Sequence, residues 1–161
     1  MRGRTTAAPE APRRRFEVAG LEVRREADRL RELPVFSGGR LAREAPAIKV
    51  RRASRRPNRL GFAVPDEWRI SITAYPGIRL GDVEETLLHE LVHLHVGVEP
   101  GHRRWHGAQF RDTLRRAMSE AYGIDGLAPR SSRHGVYADA LEARRARALA
   151  SGGEQLALAL G

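Results

Sequence analysis

Residues 82–96 read DVEETLLHELVHLHV. Leu87, Leu88, Leu91, Val92 and Leu94 give the run apolar side chains on more than one helical face. Asp82 is a candidate N-cap with Glu85 at capping-box spacing, and Gly97 and Pro100-Gly101 end the run. The stretch therefore predicts a largely buried helix. Inside it, His89-Glu90-Leu91-Val92-His93 has the form HExxH. Residues i and i+4 share one helix face with Cβ atoms about 5–6 Å apart. Two imidazoles so placed can converge on one Zn²⁺ at about 2.0–2.1 Å. Glu90 is turned ~100° from His89 about the axis, which puts it beside the ion without binding it, where a general base for a zinc-bound water belongs. Two histidines and a carboxylate buried among leucines are costly without a partner, and a metal supplies one.

Zinc catalysis needs a third protein ligand and an open position. His95, six residues after His89, falls on another face and reads as a packing or solvated histidine. Glu99 has the third-ligand offset of the HExxHxxGxxH pattern, but Val96 stands where that pattern has Gly, and Glu where it has His. Glu120 and His102 remain candidates. His106 is preferred: with Phe110, Leu114 and Ala117 it forms one stripe of a helix expected over about Arg104–Tyr122, so the apolar face points it inward. Gly123 is the natural stop of that helix, and Gly107 would permit close approach of the two helices.

Working outward, Ala47–Arg52, Leu60–Val64 and Trp68–Ala74 read as strands. In the last, Trp68, Ile70, Ile72 and Ala74 alternate with Arg69, Ser71 and Thr73. Arg55-Arg56-Pro57-Asn58 reads as a turn. Helical spacing recurs over Leu21–Leu33, stopped by Pro34, and over about Tyr137–Ala150.

Of 161 residues, 29 are Lys or Arg and 20 are Asp or Glu, a net charge of +9. The surplus is local: residues 1–59 hold 17 basic and 7 acidic side chains, residues 60–161 hold 12 and 13. Lys49 is the only lysine. An Arg-rich block beside a near-neutral domain predicts a polyanionic partner, most simply nucleic acid. The absence of Cys excludes a disulfide framework, a Cys-ligated zinc ribbon, an iron–sulfur cluster and a cysteine nucleophile. No apolar run approaches the ~20 residues of a membrane span, and MRGRTTAAPEAPRRRF lacks the apolar stretch of a secretory leader. A cytoplasmic protein, nucleoid-associated where it meets DNA, is expected.

The run Glu84-Glu85-Thr86-Leu87-Leu88-His89-Glu90-Leu91-Val92-His93, followed by His106-Gly107-Ala108-Gln109-Phe110, resembles the SprT-like metallopeptidases, a family that includes proteases of DNA–protein crosslinks. The resemblance covers roughly residues 45–122. It implies an α+β, zincin-like fold: a small antiparallel sheet packed on the HExxH helix and on a following ligand-bearing helix. It also implies His89, His93 and His106 as zinc ligands, Glu90 as catalytic base, and peptide-bond hydrolysis. Two departures stand out. The Cys-rich zinc ribbon of many members is impossible here, and Val98–Trp105 differs from the acidic insert common before the third histidine.

The expected organisation is a disordered basic tail at 1–15, a metallopeptidase domain at 16–150 and a flexible tail at 151–161. Beyond the Ser151-Gly152-Gly153 joint, Gln155, Leu156, Leu158 and Leu160 resemble the peptide by which bacterial replication and repair proteins dock on the sliding clamp. The oxyanion donor such a protease needs has four candidates, Tyr75, Arg79, Tyr122 and Tyr137, which the sequence does not separate. Competing functions are a metal-dependent hydrolase of RNA or a small molecule, and a non-catalytic adaptor with structural zinc. Only catalysis gives Glu90 a purpose.

Overall fold

The computed structural model of the chain describes residues 12–97, 106–127 and 135–160. After a 3₁₀ turn at Pro12–Phe16 come β1 (Glu17–Val18), β2 (Leu21–Glu22), α1 (Val23–Arg31) and α2 (Arg40–Arg43), then β3 (Ala47–Arg52), β4 (Gly61–Val64) and β5 (Arg69–Ala74). Three helices follow: α3 (Leu80–Val96), α4 (Ala108–Tyr122) and α5 (Val136–Leu160). The architecture is α+β. A three-stranded sheet in the order β3-β5-β4 packs on α3, and α1, α4 and α5 pack on the remaining sides of α3.

Every residue from Gly81 to Leu94 is buried. The apolar residues on several faces of α3 thus correspond to neighbours on several sides. Ile70 and Ile72 of β5, Leu87, Leu88 and Leu91 of α3, and Phe110 and Leu114 of α4 share one core. Each such side chain contributes about 1.5–3 kcal/mol by leaving water.

The sheet is mixed rather than antiparallel. β4 pairs antiparallel with β5, but β3 lies parallel to it, Ile48 opposite Ile70 and Val50 opposite Ile72. The stretch 53–60, with its Arg55-Arg56-Pro57-Asn58 bend, is long enough to carry the chain past the central position, which β5 then fills. Trp68 stands just outside β5. It closes a 3₁₀ turn at φ 46°, donates its indole N–H to the Glu44 carbonyl at 3.1 Å and lies under the Arg40 guanidinium.

The helix ends differ from expectation in three places. α3 starts at Leu80, so Asp82 sits in its first turn and not at the cap; its carboxylate accepts from the Arg79 N–H and guanidinium. Glu85 faces α5 and accepts from the Gly135 and Ala138 N–H groups. α4 starts at Ala108 with Gly107 as N-cap, so His106 precedes the helix instead of riding on it; its C-terminus at Gly123, φ 64°, is as expected. α5 continues through Ser151-Gly152-Gly153, where a joint is expected, to Leu160. Glycine costs a helix only about 1 kcal/mol, and the flanking Ala, Glu, Gln and Leu are good helix formers. Of the 1–15 tail, only Pro12–Arg15 lies within the described residues, in the 3₁₀ turn.

Candidate metal centre

The long buried helix supplies His89 and His93 on one face, and the turn before α4 supplies His106. Their Nε2 atoms form a triangle, 3.1 Å for His89–His106, 3.1 Å for His93–His89 and 3.0 Å for His106–His93. The Phe110 ring lies behind all three imidazoles, with centroids 4.4–4.8 Å away. An imidazole nitrogen is either a donor or an acceptor, never both. A triangle of three such atoms therefore always sets lone pair against lone pair or proton against proton along one edge. A cation at its centre removes that conflict. A tetrahedral zinc with bonds of about 2.05 Å needs its ligand atoms about 3.3 Å apart, close to the spacing found. These residues could hold a metal ion.

Burial and the Arg59 charge hold the His106 pKa below the ordinary histidine value. That keeps the ring neutral near pH 7, the form a metal requires. Glu90, 3% exposed, lines the same cavity of about 520 Å³. Burial pushes its carboxyl up to about 8, against the opposing pull of the Arg59 guanidinium and of the Ala63 backbone N–H directed at it. A positive charge held by the imidazoles would act on Glu90 in the same sense as Arg59.

β4 forms the wall opposite. It is an edge of the sheet. The Thr73 N–H donates to the Leu60 carbonyl at 2.8 Å, which fixes the alternation of the ladder. Gly61 and Ala63 then occupy the non-hydrogen-bonded positions, with their backbone N–H and C=O groups turned away from β5. Gly61 and Ala63 both line the cavity.

Two of the other candidate ligands lie elsewhere. Glu120 accepts from the Val35 N–H at 2.9 Å and from Arg116. His95 packs edge-on against Phe36. Glu99 and His102 lie outside the described residues. None of the four oxyanion candidates reaches the cavity. Tyr122 donates to Glu26, Arg79 pairs with Asp82 and Asp139, Tyr75 lines a groove beside Glu17, and the buried Tyr137 hydroxyl has no hydrogen-bond partner among the described residues. The cavity is instead bordered by Asn58, the last residue of the expected turn, and by Arg59, which falls between that turn and the expected strand. Their only local signal is position, immediately before an edge strand.

A sequence model of the SprT-like family matches residues 30–133. The chain belongs to the SprT-like family. The match runs from the end of α1 through the sheet, α3 and α4, and so takes in His89, Glu90, His93 and His106. No curated protein and no solved structure matches the chain. SprT-like membership and a three-histidine site that could hold a metal ion both fit a metallopeptidase.

Proposed function

We propose that this SprT-like chain is a zinc-dependent endopeptidase whose substrates are proteins held at DNA. The observation that carries the reading is the convergence of the His89, His93 and His106 Nε2 atoms within 3.0–3.1 Å beside the buried Glu90. Three imidazoles are a borderline-soft donor set suited to zinc. When bound, zinc supplies a Lewis acid that lowers the pKa of a water toward ~7 and polarises a carbonyl. Glu90 takes the proton of the attacking water and delivers it to the departing amine. Arg59, at the mouth of the cavity, faces the carbonyl oxygen as negative charge builds there.

The edge strand favours a polypeptide over a small molecule. Gly61 offers its backbone N–H and C=O, and Ala63 its C=O, to an extended chain laid along β4, the pairing used in β-strand addition, while the Ala63 N–H stays with Glu90. The basic surplus of residues 1–59 favours a substrate presented on nucleic acid. The C-terminal Gln155, Leu156, Leu158 and Leu160 are the proposed contact with a sliding clamp. Their backbone is helical here, so docking as an extended peptide would unwind the end of α5. No helix among the described residues is long and apolar enough to cross a membrane.

The test is Glu90→Gln. The variant should bind zinc like the wild type and lose cleavage of a DNA-bound protein. Undiminished cleavage would remove Glu90 from the mechanism.

A further inference from the structure

The face of the sheet turned away from α3 carries a second depression, about 430 Å³ in volume. Ile70 and Ile72 point into the core, so Arg69 and Ser71 point out. The register sets Lys49 and Arg51 of β3 beside Ser71 and Thr73, and Phe62 of β4 beside Ser71 on the other side. Arg15 and Phe16, from the N-terminal turn, complete the walls. Among the described residues, no acidic side chain lines the depression; Glu67 meets Arg69 at its rim.

Four cations and two aromatic rings thus share one shallow groove. Each ring already lies near guanidinium groups. Arg24 is 3.8 Å and Arg15 5.7 Å from the Phe16 centroid; Arg51 is 5.8 Å and Arg69 6.0 Å from that of Phe62. Planar cations and rings at this spacing form a surface on which a flat base can stack while the charges meet its phosphates. A duplex hides its base faces, whereas a single strand exposes them.

We propose that this outer face of the sheet, built on Lys49, Arg51, Arg69, Phe16 and Phe62, binds single-stranded nucleic acid. The proposal deepens the nucleic-acid side of the proposed function and rests on that reading. It also gives the two grooves a shared wall. Phe62 borders both the depression and the metal cavity, while its neighbours Gly61 and Ala63 border the cavity alone. A strand lying across Phe62 would bring an attached protein to the edge where β4 offers its backbone.

The experiment titrates the full-length chain with fluorescent oligothymidylate, an oligouridylate of the same length, an abasic deoxyribose-phosphate strand and a duplex. Oligothymidylate should bind at least tenfold more tightly than the abasic strand and more tightly than duplex. The oligouridylate arm tells DNA from RNA as the natural strand. Lys49→Ala with Arg51→Ala should reduce the slope of log affinity against log salt by about 1.4, at ~0.7 per phosphate contact. Phe62→Leu should abolish the difference between base-bearing and abasic strands. Equal binding by the Lys49/Arg51 variant would assign the affinity to the N-terminal arginines and overturn the proposal, as would equal affinity for abasic strand or preference for duplex. Cleavage of a DNA-free peptide, measured in parallel, should be unchanged in the Lys49/Arg51 variant. Its absence from the wild type would refute the peptidase reading and leave the binding result standing.

Discussion

A β-carbon added at Gly61 would stand 2.6 Å from Thr86 Cγ2 and 3.2 Å from Glu90 Cγ. The edge strand therefore rests directly on the turn of α3 that carries the proposed base. Thr86 cannot swing aside, because its hydroxyl donates to the Asp82 carbonyl at 2.6 Å. Gly61→Ala should push β4 off α3, lowering stability by about 1–3 kcal/mol as overpacking does and reducing peptide cleavage while zinc content is kept. Thr86→Ser deletes the obstructing methyl and retains the hydroxyl, so the double variant should recover part of both losses. Thermal unfolding and peptide turnover of the four proteins check this.

His106 and Glu120 offer a sharp contrast. His106→Ala should abolish stoichiometric zinc, read by metal analysis after dialysis. Glu120→Ala should leave zinc untouched and cost about 1–3 kcal/mol, because the Val35 N–H loses its acceptor. Zinc loss in the Glu120 variant would reverse the ligand assignment.

Arg59 borders the cavity and makes no hydrogen bond or ion pair with another described residue. Arg59→Ala should lower kcat about 10²-fold or more, the scale of losing one charge-stabilising donor, with zinc retained. Arg59→Lys keeps the charge and should recover part of the rate. A change confined to KM would make Arg59 a substrate-binding group instead.

Glu26 is held below the ordinary carboxylate pKa. Burial raises it, but the Arg29 and Tyr122 hydrogen bonds outweigh that effect. Because its folded pKa is the lower one, its stabilisation is complete above the ordinary value, about 4.3, and is lost as pH falls through the folded value. Glu26→Gln should therefore be less stable than wild type at pH 7, and the gap should close in acid. Denaturant melts at several pH values measure it; a gap that widens below pH 4 would contradict the assignment.

For the C-terminal segment, the isolated peptide of residues 151–161 should bind purified bacterial sliding clamp. Gln155→Ala with Leu158→Ala should abolish that binding. Equal binding by the altered peptide would end the docking proposal.

Much of this molecule is readable from local pattern. The apolar run around His89 and His93 announces a buried helix because burial on several sides leaves no polar face. Ile70, Ile72 and Ala74 alternate as a half-buried strand must. The direction of β3 is not readable, since parallel and antiparallel strands share the two-residue period. Asp82 and Glu85 carry capping-box spacing, yet the cap falls three residues earlier, at Arg79, and Glu85 serves α5, a tertiary demand no local motif encodes. Ser151-Gly152-Gly153 looks like a joint, but two glycines cost less than the surrounding helix formers contribute. His106 is legible through the sequence that follows it, although it sits in a turn and not on the helical stripe. Arg59 is invisible for a different reason: it becomes a site residue only when β4 is laid against α3.

The unbroken burial of residues 81–94 bears on control. A helix clasped on every side cannot tilt or fray to switch the site off, because any such motion would open the core itself. Adjustments between idle and working states fall instead to the far wall of the cavity, where β4 forms an edge of the sheet.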